Sequence, residues 1–270
     1  MSPHVFVIEP AAAAGARAGS ELVIAGAEGR HAARVLRVRP GESVEAIDGQ
    51  GRRIKAVVRS AGRDEIVVQA HLVLDEPVPD PAYVVVQGLP KGEHAELAVD
   101  QLTQCGADRI VPWAAANSVA QWDGERAIRG RGRWQQAAMA AAKQARRAWI
   151  PQVDALASTS EIVAQVRQAA LAVVLHEGAS EPLMQVAVPA WGTILILVGP
   201  EGGLTDQERS QLGQAGAREA SLGPAVLRTS LAGAAALAVL GSSRHWPSGP
   251  VPGMATTADA MPAVMEGWRA

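Results

Sequence analysis

Leu195-Ile-Leu-Val-Gly-Pro-Glu-Gly-Gly203, continued by Leu204-Thr-Asp-Gln-Glu208, is the stretch that decides the fold. A fully apolar strand runs into a glycine-rich turn. A helix then opens on Thr205-x-x-Glu208, the spacing of a capping box. Gly199, Gly202 and Gly203 let the backbone approach a ligand closely. The turn lacks the Gly-Lys-Ser/Thr of a P-loop and the Gly-x-Gly-x-x-Gly of a dinucleotide fold. On these residues alone, a tight strand-to-helix turn and a ligand loop fit equally well.

Two further loops resemble it in position. Ser221-Leu-Gly-Pro-Ala-Val-Leu-Arg-Thr229 leaves a strand through a Gly-Pro turn and enters an alanine-rich helix. Leu175-His176-Glu177 ends another apolar strand, and His176 by itself reads first as a histidine capping that strand. Loops at the carboxyl ends of buried strands are where α/β sheets bind ligands.

Working outward, residues after 81 alternate strands and helices: strands at 83–88, 109–112, 171–176, 193–199 and 219–222, helices at 93–105, 132–147, 206–216 and 229–241. That is an α/β domain with a mostly parallel sheet. Residues 4–75 read instead as strands and turns, with one helical piece at 29–38, and suggest a small β-barrel. Pro77, Pro79 and Pro81 make a stiff connection between the two. The expected division is a barrel at 1–76, an α/β domain at 77–246 and a flexible tail at 247–270, where periodicity is lost.

The chain has 270 residues, 48% hydrophobic and 19% charged, which excludes wholesale disorder. Its net charge of −2 excludes an indiscriminate polyanion binder, so any nucleic-acid contact must be local. Arg126, Arg129, Arg131, Arg133, Lys143, Arg146 and Arg147 follow one another with no acid between them. This run reads either as a solvated helix face or as an RNA contact, and charge logic favours RNA. The barrel adds Arg30, His31, Arg34, Arg37 and Arg39, relieved by Glu28 and Glu42. Cys105 is the single cysteine, so neither an intramolecular disulfide nor a cysteine-rich zinc site is expected. With no basic n-region at the start, the expected compartment is the cytoplasm. The apolar runs 193–198 and 231–240 fall well short of the roughly 20 residues of a membrane span.

Taken together, these residues resemble the ribosomal RNA small subunit methyltransferase E family of the SPOUT superfamily. Val198-Gly-Pro-Glu-Gly-Gly203 paired with Ser221-Leu-Gly-Pro-Ala-Val-Leu-Arg-Thr229 carries the likeness. His31-Ala-Ala-Arg-Val-Leu-Arg37 with Gly41-Glu42 and Asp48-Gly49 is similar to the family's PUA-like barrel. Gly88-Leu-Pro-Lys-Gly92 and Ala142-Lys-Gln-Ala-Arg-Arg147, followed by Ile150-Pro151, complete it over residues 4–246. The chain departs from the family pattern at Ala145 (usually Ser), at Gln104-Cys105 (often Glu-Leu) and at Leu231 (usually Thr).

The resemblance implies an α/β fold in which a PUA-like barrel precedes a trefoil-knotted methyltransferase domain. It implies methylation of N3 of a uridine in 16S rRNA of the small ribosomal subunit, by a homodimer that needs no metal. S-adenosylmethionine would be held by Leu175, His176, Gly199, Glu201, Gly202, Gly203, Leu222, Gly223 and Leu227. Motif position and chemistry make Arg147 and Arg228 the candidate catalytic residues, because an arginine can stabilise charge developing on the uracil carbonyls. Each reads equally well as an ion pair or a phosphate grip. Arg34, Arg37, Lys91, Arg133, Lys143 and Arg146 are the candidate RNA contacts. Other readings left open are a methyltransferase acting on another RNA, and a non-catalytic RNA-binding or ribosome-assembly protein on the same fold.

Overall fold

The computed structural model describes residues 3–92 and 94–242. The tail expected at 247–270 lies outside the described residues.

The first sheet collects β1 (His4–Val7), β2 (Glu21–Ile24), β3 (Ser43–Ile47), β4 (Arg52–Ala61) and β5 (Ile66–Asp75). Its order is β1-β3-β4-β5-β2, with β1 parallel to β3 and the other pairs antiparallel. Register shifts between Lys55 and Ala56 and between Val58 and Ser60 interrupt the β4–β5 ladder, and such bulges bend a sheet. Its inner face buries Phe6, Ile24, Val44, Ile54, Ile66 and Val68. Two short helices, α1 (Pro10–Ala14) and α2 (Gly26–Arg30), lie on it, and α2 continues into a π-helix over His31–Leu36. The helical piece expected at 29–38 is therefore two kinds of helix. It ends at Arg37, whose φ of 53° is left-handed.

The second sheet is six-stranded and parallel throughout. It holds β6 (Ala82–Gly88), β7 (Arg109–Trp113), β8 (Gln152–Val153), β9 (Leu171–Leu175), β10 (Thr193–Val198) and β11 (Arg218–Ala220), in the order β11-β9-β10-β6-β7-β8. Alternation along the strands feeds two cores. Tyr83, Val85, Ile194, Ile196 and Val198 face α3 (His94–Gln104), α4 (Gly124–Gln144) and α7 (Thr229–Gly241). Val84, Val86, Leu195 and Leu197 face α5 (Thr159–Val166) and α6 (Asp206–Gln214). Burial on both faces is why these strands lack polar alternation.

Both α5 and α6 open with full capping boxes, Ser158 with Glu161 and Thr205 with Glu208. The first of these helices escaped the sequence reading although its signature was present. The helix expected at 132–147 starts eight residues earlier, at Gly124, and stops at Gln144. Gly130 is tolerated inside it because the Trp122 ring fills the space a Cβ would need, 2.5 Å away. Trp122 in turn meets Trp134 edge to face at 5.1 Å.

The two sheets are sewn together along one seam. Val5 and Ile47 pack on Ala148, and the Ile150 N–H donates to the Gly49 carbonyl at 3.0 Å. Arg53 is nearly buried there. It donates to Glu45 Oε2 at 2.6 Å and to the Arg146 carbonyl at 2.8 Å, and pairs with Glu76. Burial alone would pull its pKa down, but the two carboxylates outweigh that and raise it. Lys143 reaches across to Glu28 at 2.7 Å.

Candidate functional site

In a sheet whose strands all run the same way, the two ends differ in kind. At the carboxyl end, β9 lies between β11 and β10 although it precedes both in sequence. This reversal of direction brings residues 175–176, 199–203 and 221–228 side by side, at the kind of crevice where open α/β sheets bind ligands. The structure thus gathers all nine residues of the expected cofactor set at one end of the sheet.

The geometry there is open backbone over a firm floor. Gly203 and Gly223 have φ of 70° and 142°, and a Cβ on either would meet nothing within 4 Å. Their freedom is required by conformation and leaves the main chain accessible. Gly88, at the end of β6, does the opposite: a Cβ there would sit 2.6 Å from the Pro200 nitrogen, so the loop lies directly against the strand. Leu175, Leu222 and Leu227 are half-buried around the loops. Glu201 is exposed, and its Oε1 accepts the Lys91 N–H at 3.2 Å, which ties the β6 exit to the glycine loop.

His176 takes the structural part. Its Nδ1 accepts the Gly178 N–H at 3.1 Å and its own N–H donates to the Ala220 carbonyl at 3.0 Å, closing the turn after β9. Arg228 caps α7 with its backbone. Its side chain is exposed and makes no hydrogen bond or ion pair among the described residues.

Of the readings left open for Arg147, the bonds within this chain are those of the ion pair. Its guanidinium donates to the carbonyls of Thr103 and Ala107 at 2.7 and 2.6 Å and to Asp108 at 2.9 Å. Asp108 immediately precedes β7 and accepts the N–H of Tyr83, early in β6. Arg147 is therefore committed to the amino end of the sheet, across it from the glycine loops, and within this chain it does not reach them. Burial lowers its pKa against the pull of Asp108, a direction that leaves an arginine charged.

The basic run is also relieved in a way the sequence order hides. Arg126 lies 3.9 Å from Asp123, Arg129 pairs with Glu125 at 2.9 Å and Arg133 with Glu96 at 3.0 Å. Lys143 is engaged by Glu28 at 2.7 Å, so this candidate RNA contact is first an interdomain bridge. Arg131 donates to the Val153 carbonyl at 2.9 Å. Arg146 has φ of 55° and offers its carbonyl to Arg53, while its own side chain is half-buried with no partner among the described residues. In the barrel, Arg34 pairs with Asp64, whereas Arg37 is exposed and unpaired among the described residues. Lys91 lies beside the glycine loop, where its backbone N–H is bound by Glu201.

Sequence reasoning missed the segment between β7 and α4. Asn117 Nδ2 donates to the carbonyls of Gly202 and Gly203 at 3.1 and 3.3 Å. Glu208, nearly buried, accepts the Ala116 N–H at 2.9 Å and the Thr159 hydroxyl at 3.1 Å, besides its capping bonds to Thr205. Burial pushes the Glu208 carboxyl up, but the hydrogen bonds from Ala116, Thr205 and Thr159 prevail and hold it below its ordinary value. A cleft of about 310 Å³ opens along this segment, with Leu89, Ser118 and Trp122 in its walls. Among the described residues no group of three or more His, Cys, Asp or Glu is placed to hold a metal ion, and no helix is long and apolar enough to cross a membrane.

Comparison with known proteins agrees with this layout. A family model for an RNA methyltransferase domain matches residues 78–241, and one for an RNA methyltransferase PUA domain matches residues 24–70. The fold and its loops thus define an RNA methyltransferase with a PUA-like barrel ahead of a SPOUT α/β domain. Ribosomal RNA small subunit methyltransferase E of Mycobacterium bovis is 44% identical over 227 residues, covering 83% of this chain and 87% of its own length. The Bacillus subtilis protein of that name is 29% identical over 229 residues, covering 80% and 88%. The crystal structure of ribosomal RNA small subunit methyltransferase E from Neisseria gonorrhoeae, bound to S-adenosyl methionine, shares the fold with a TM-score of 0.78 at 23% identity, covering 89% of this chain and 98% of that one. The chain belongs to the ribosomal RNA small subunit methyltransferase E family.

Proposed function

We propose that this rRNA methyltransferase transfers a methyl group from S-adenosylmethionine to N3 of a uridine in 16S rRNA, acting as a cytoplasmic homodimer on the small ribosomal subunit. The observation that carries the reading is the gathering of three loops at the carboxyl end of the sheet, open in backbone and flanked by Arg228, which has no partner among the described residues. Those residues fit the cofactor. The Gly202 N–H and the Gly223 main chain present groups to an adenosine and its methionine end, Gly203 gives the turn its open conformation, and Leu175, Leu222 and Leu227 supply apolar walls. The cofactor brings a methyl group on a sulfonium, an already activated leaving group.

The chain's own work is alignment and charge. The glycine loop, clamped to β6 by Gly88 and by the Glu201–Lys91 bond, holds one reactant in a fixed place. The cleft beside Trp122, at the exits of β6 and β7, seats the unpaired acceptor base against an aromatic wall. As N3 passes its proton to solvent water, the Arg228 guanidinium stabilises the negative charge spread over the uracil carbonyls. The exposed Arg37, with its neighbours Arg30 and Arg39, grips rRNA phosphate from the barrel; Arg34 and Arg133 join once RNA displaces Asp64 and Glu96.

The homodimer is supported by α7, which is apolar on every side and leaves Leu231 and Val239 uncovered on one stripe. This places the Leu231 departure on the outward face of α7 and not in the loops. Replacing Leu231 and Val239 by arginine should give a monomer in equilibrium sedimentation, and an unchanged dimer would remove α7 from the interface.

The test of the reaction is nucleoside mass spectrometry of 16S rRNA from a deletion strain, with and without the gene restored. Loss of 3-methyluridine that returns on complementation is expected. Unchanged 3-methyluridine would overturn the assignment.

A further inference from the structure

The glycine loop makes few bonds of its own. Its internal backbone hydrogen bond runs from the Gly203 N–H to the Pro200 carbonyl at 2.9 Å. Its outward carbonyls are held from outside, by a side chain 85 positions earlier in sequence. Asn117 Nδ2 donates to the Gly202 carbonyl at 3.1 Å and to the Gly203 carbonyl at 3.3 Å. The approach is close: a Cβ on Gly202 would lie 2.9 Å from Asn117 Cβ and 3.0 Å from its carbonyl oxygen.

Asn117 is itself held. The N–H of its neighbour Ala116 donates to Glu208 Oε1 at 2.9 Å. The same oxygen accepts the Thr159 hydroxyl at 3.1 Å, and Thr159 Oγ1 accepts the Trp113 indole N–H at 3.2 Å. The other oxygen, Oε2, takes the Thr205 N–H at 3.0 Å and the Thr205 hydroxyl at 2.9 Å. One buried carboxylate thus ties together the starts of α5 and α6 and the segment after β7. Asn117 projects from that fixed base onto the loop.

Because each peptide unit is planar and trans, fixing a carbonyl fixes the N–H of the next residue on the opposite side. Holding two successive carbonyls therefore sets which face of the loop backbone is turned towards a ligand. We infer that Asn117 is a positioning residue for the cofactor, orienting the Gly202 and Gly203 peptides through its two donated hydrogen bonds, with Glu208 as the anchor of its segment. The inference rests on the reading of residues 199–203 as the cofactor loop. It assigns Asn117 a preorganising part rather than a contact with the reacting atoms.

Chemistry separates this from a merely structural role. The amide donates to two carbonyl oxygens, so Asn117→Ala removes both bonds. Asn117→Asp keeps the shape but turns a donor into a charged acceptor facing two acceptors. The experiment is calorimetric titration of S-adenosylmethionine into wild type, N117A and N117D, with thermal unfolding of each without cofactor. N117A should bind about tenfold more weakly, the scale of one or two neutral hydrogen bonds. N117D should bind about a hundredfold more weakly, since the unpaired partners then repel. Asn117 is exposed, so the unfolding midpoints should stay within about 2 °C of wild type.

Wild-type affinity in both variants overturns the inference, as does N117D binding no worse than N117A. A fall in midpoint that tracks the loss of affinity also overturns it, because Asn117 would then be holding the fold and not the loop's orientation. A wild-type chain that fails to bind S-adenosylmethionine defeats the cofactor reading and this inference with it. That outcome is distinguishable, since the variants are compared only against a binding wild type.

Discussion

The two ends of the parallel sheet treat the same side chain in opposite ways. At the amino end Arg147 is nearly buried, with its guanidinium divided among two carbonyls and Asp108. At the carboxyl end Arg228 stands exposed at the start of α7 with no partner among the described residues. Both follow motifs that the sequence presents as equals. An arginine whose donors are already satisfied by its own chain cannot take up charge on a substrate without breaking those bonds. One with no partner among the described residues, beside open glycine backbone, can.

The largest effect that would sharpen this contrast is on stability. Arg147→Ala removes the ion pair with Asp108 and the bonds to the Thr103 and Ala107 carbonyls, and should cost about 3 kcal/mol in denaturant unfolding. Cofactor affinity of the folded fraction should stay unchanged. A variant of normal stability that cannot bind S-adenosylmethionine would break the contrast. Arg228→Ala should do the reverse, with turnover reduced by about a hundredfold and an unaltered unfolding midpoint. If the two variants lose activity alike at equal stability, the ends of the sheet are not specialised as described.

A smaller effect concerns the anchor under the glycine loop. Hydrogen bonds hold the Glu208 carboxyl below its ordinary value despite burial. A group with a depressed folded pKa contributes stability that is present above its unfolded value, about 4.3, and is lost as pH falls through the folded one. The stability gap between wild type and Glu208→Gln should therefore be constant from neutral pH to about pH 5 and shrink on further acidification. A gap that widens with acid would show that the carboxylate is not the species being stabilised. The smallest effect lies at the seam. A double-mutant cycle on Lys143 and Glu28 should return a coupling of about 1 kcal/mol that weakens only slightly with salt, because both side chains are mostly sheltered. A coupling abolished by moderate salt would return Lys143 to the pool of free cations available to RNA.

The carboxyl end was legible in the sequence because its signal is local. An apolar run, a glycine cluster and a capping box within residues 195–208 specify strand, loop and helix without help from elsewhere. The alternation of the sheet and the long apolar last helix were legible for the same reason. What escaped was long-range. No acid lies between Arg126 and Arg147 in sequence, yet Glu28, Glu96 and Asp108 arrive from three other elements to pair with members of that run. Only the fold says which cations are already taken. Asn117 carries no motif at all, since one asparagine in a loop gains meaning only from the carbonyls it meets. The start of α5 is a different case, for Ser158-x-x-Glu161 is itself a local signature of a helix start. At α4, Gly124 and Gly130 weaken the helical signal of the first turns, and packing of Trp122 on Gly130 overrides that propensity.

The claim at the centre of this account is that cofactor chemistry belongs to the carboxyl end. Amide hydrogen exchange of the full chain, with and without saturating S-adenosylmethionine, tests it most directly. Protection should appear in residues 175–178, 199–204 and 221–229, with residues 103–109 and 145–148 unchanged. Protection confined to the Arg147–Asp108 end, with the three loops unaffected, would contradict it.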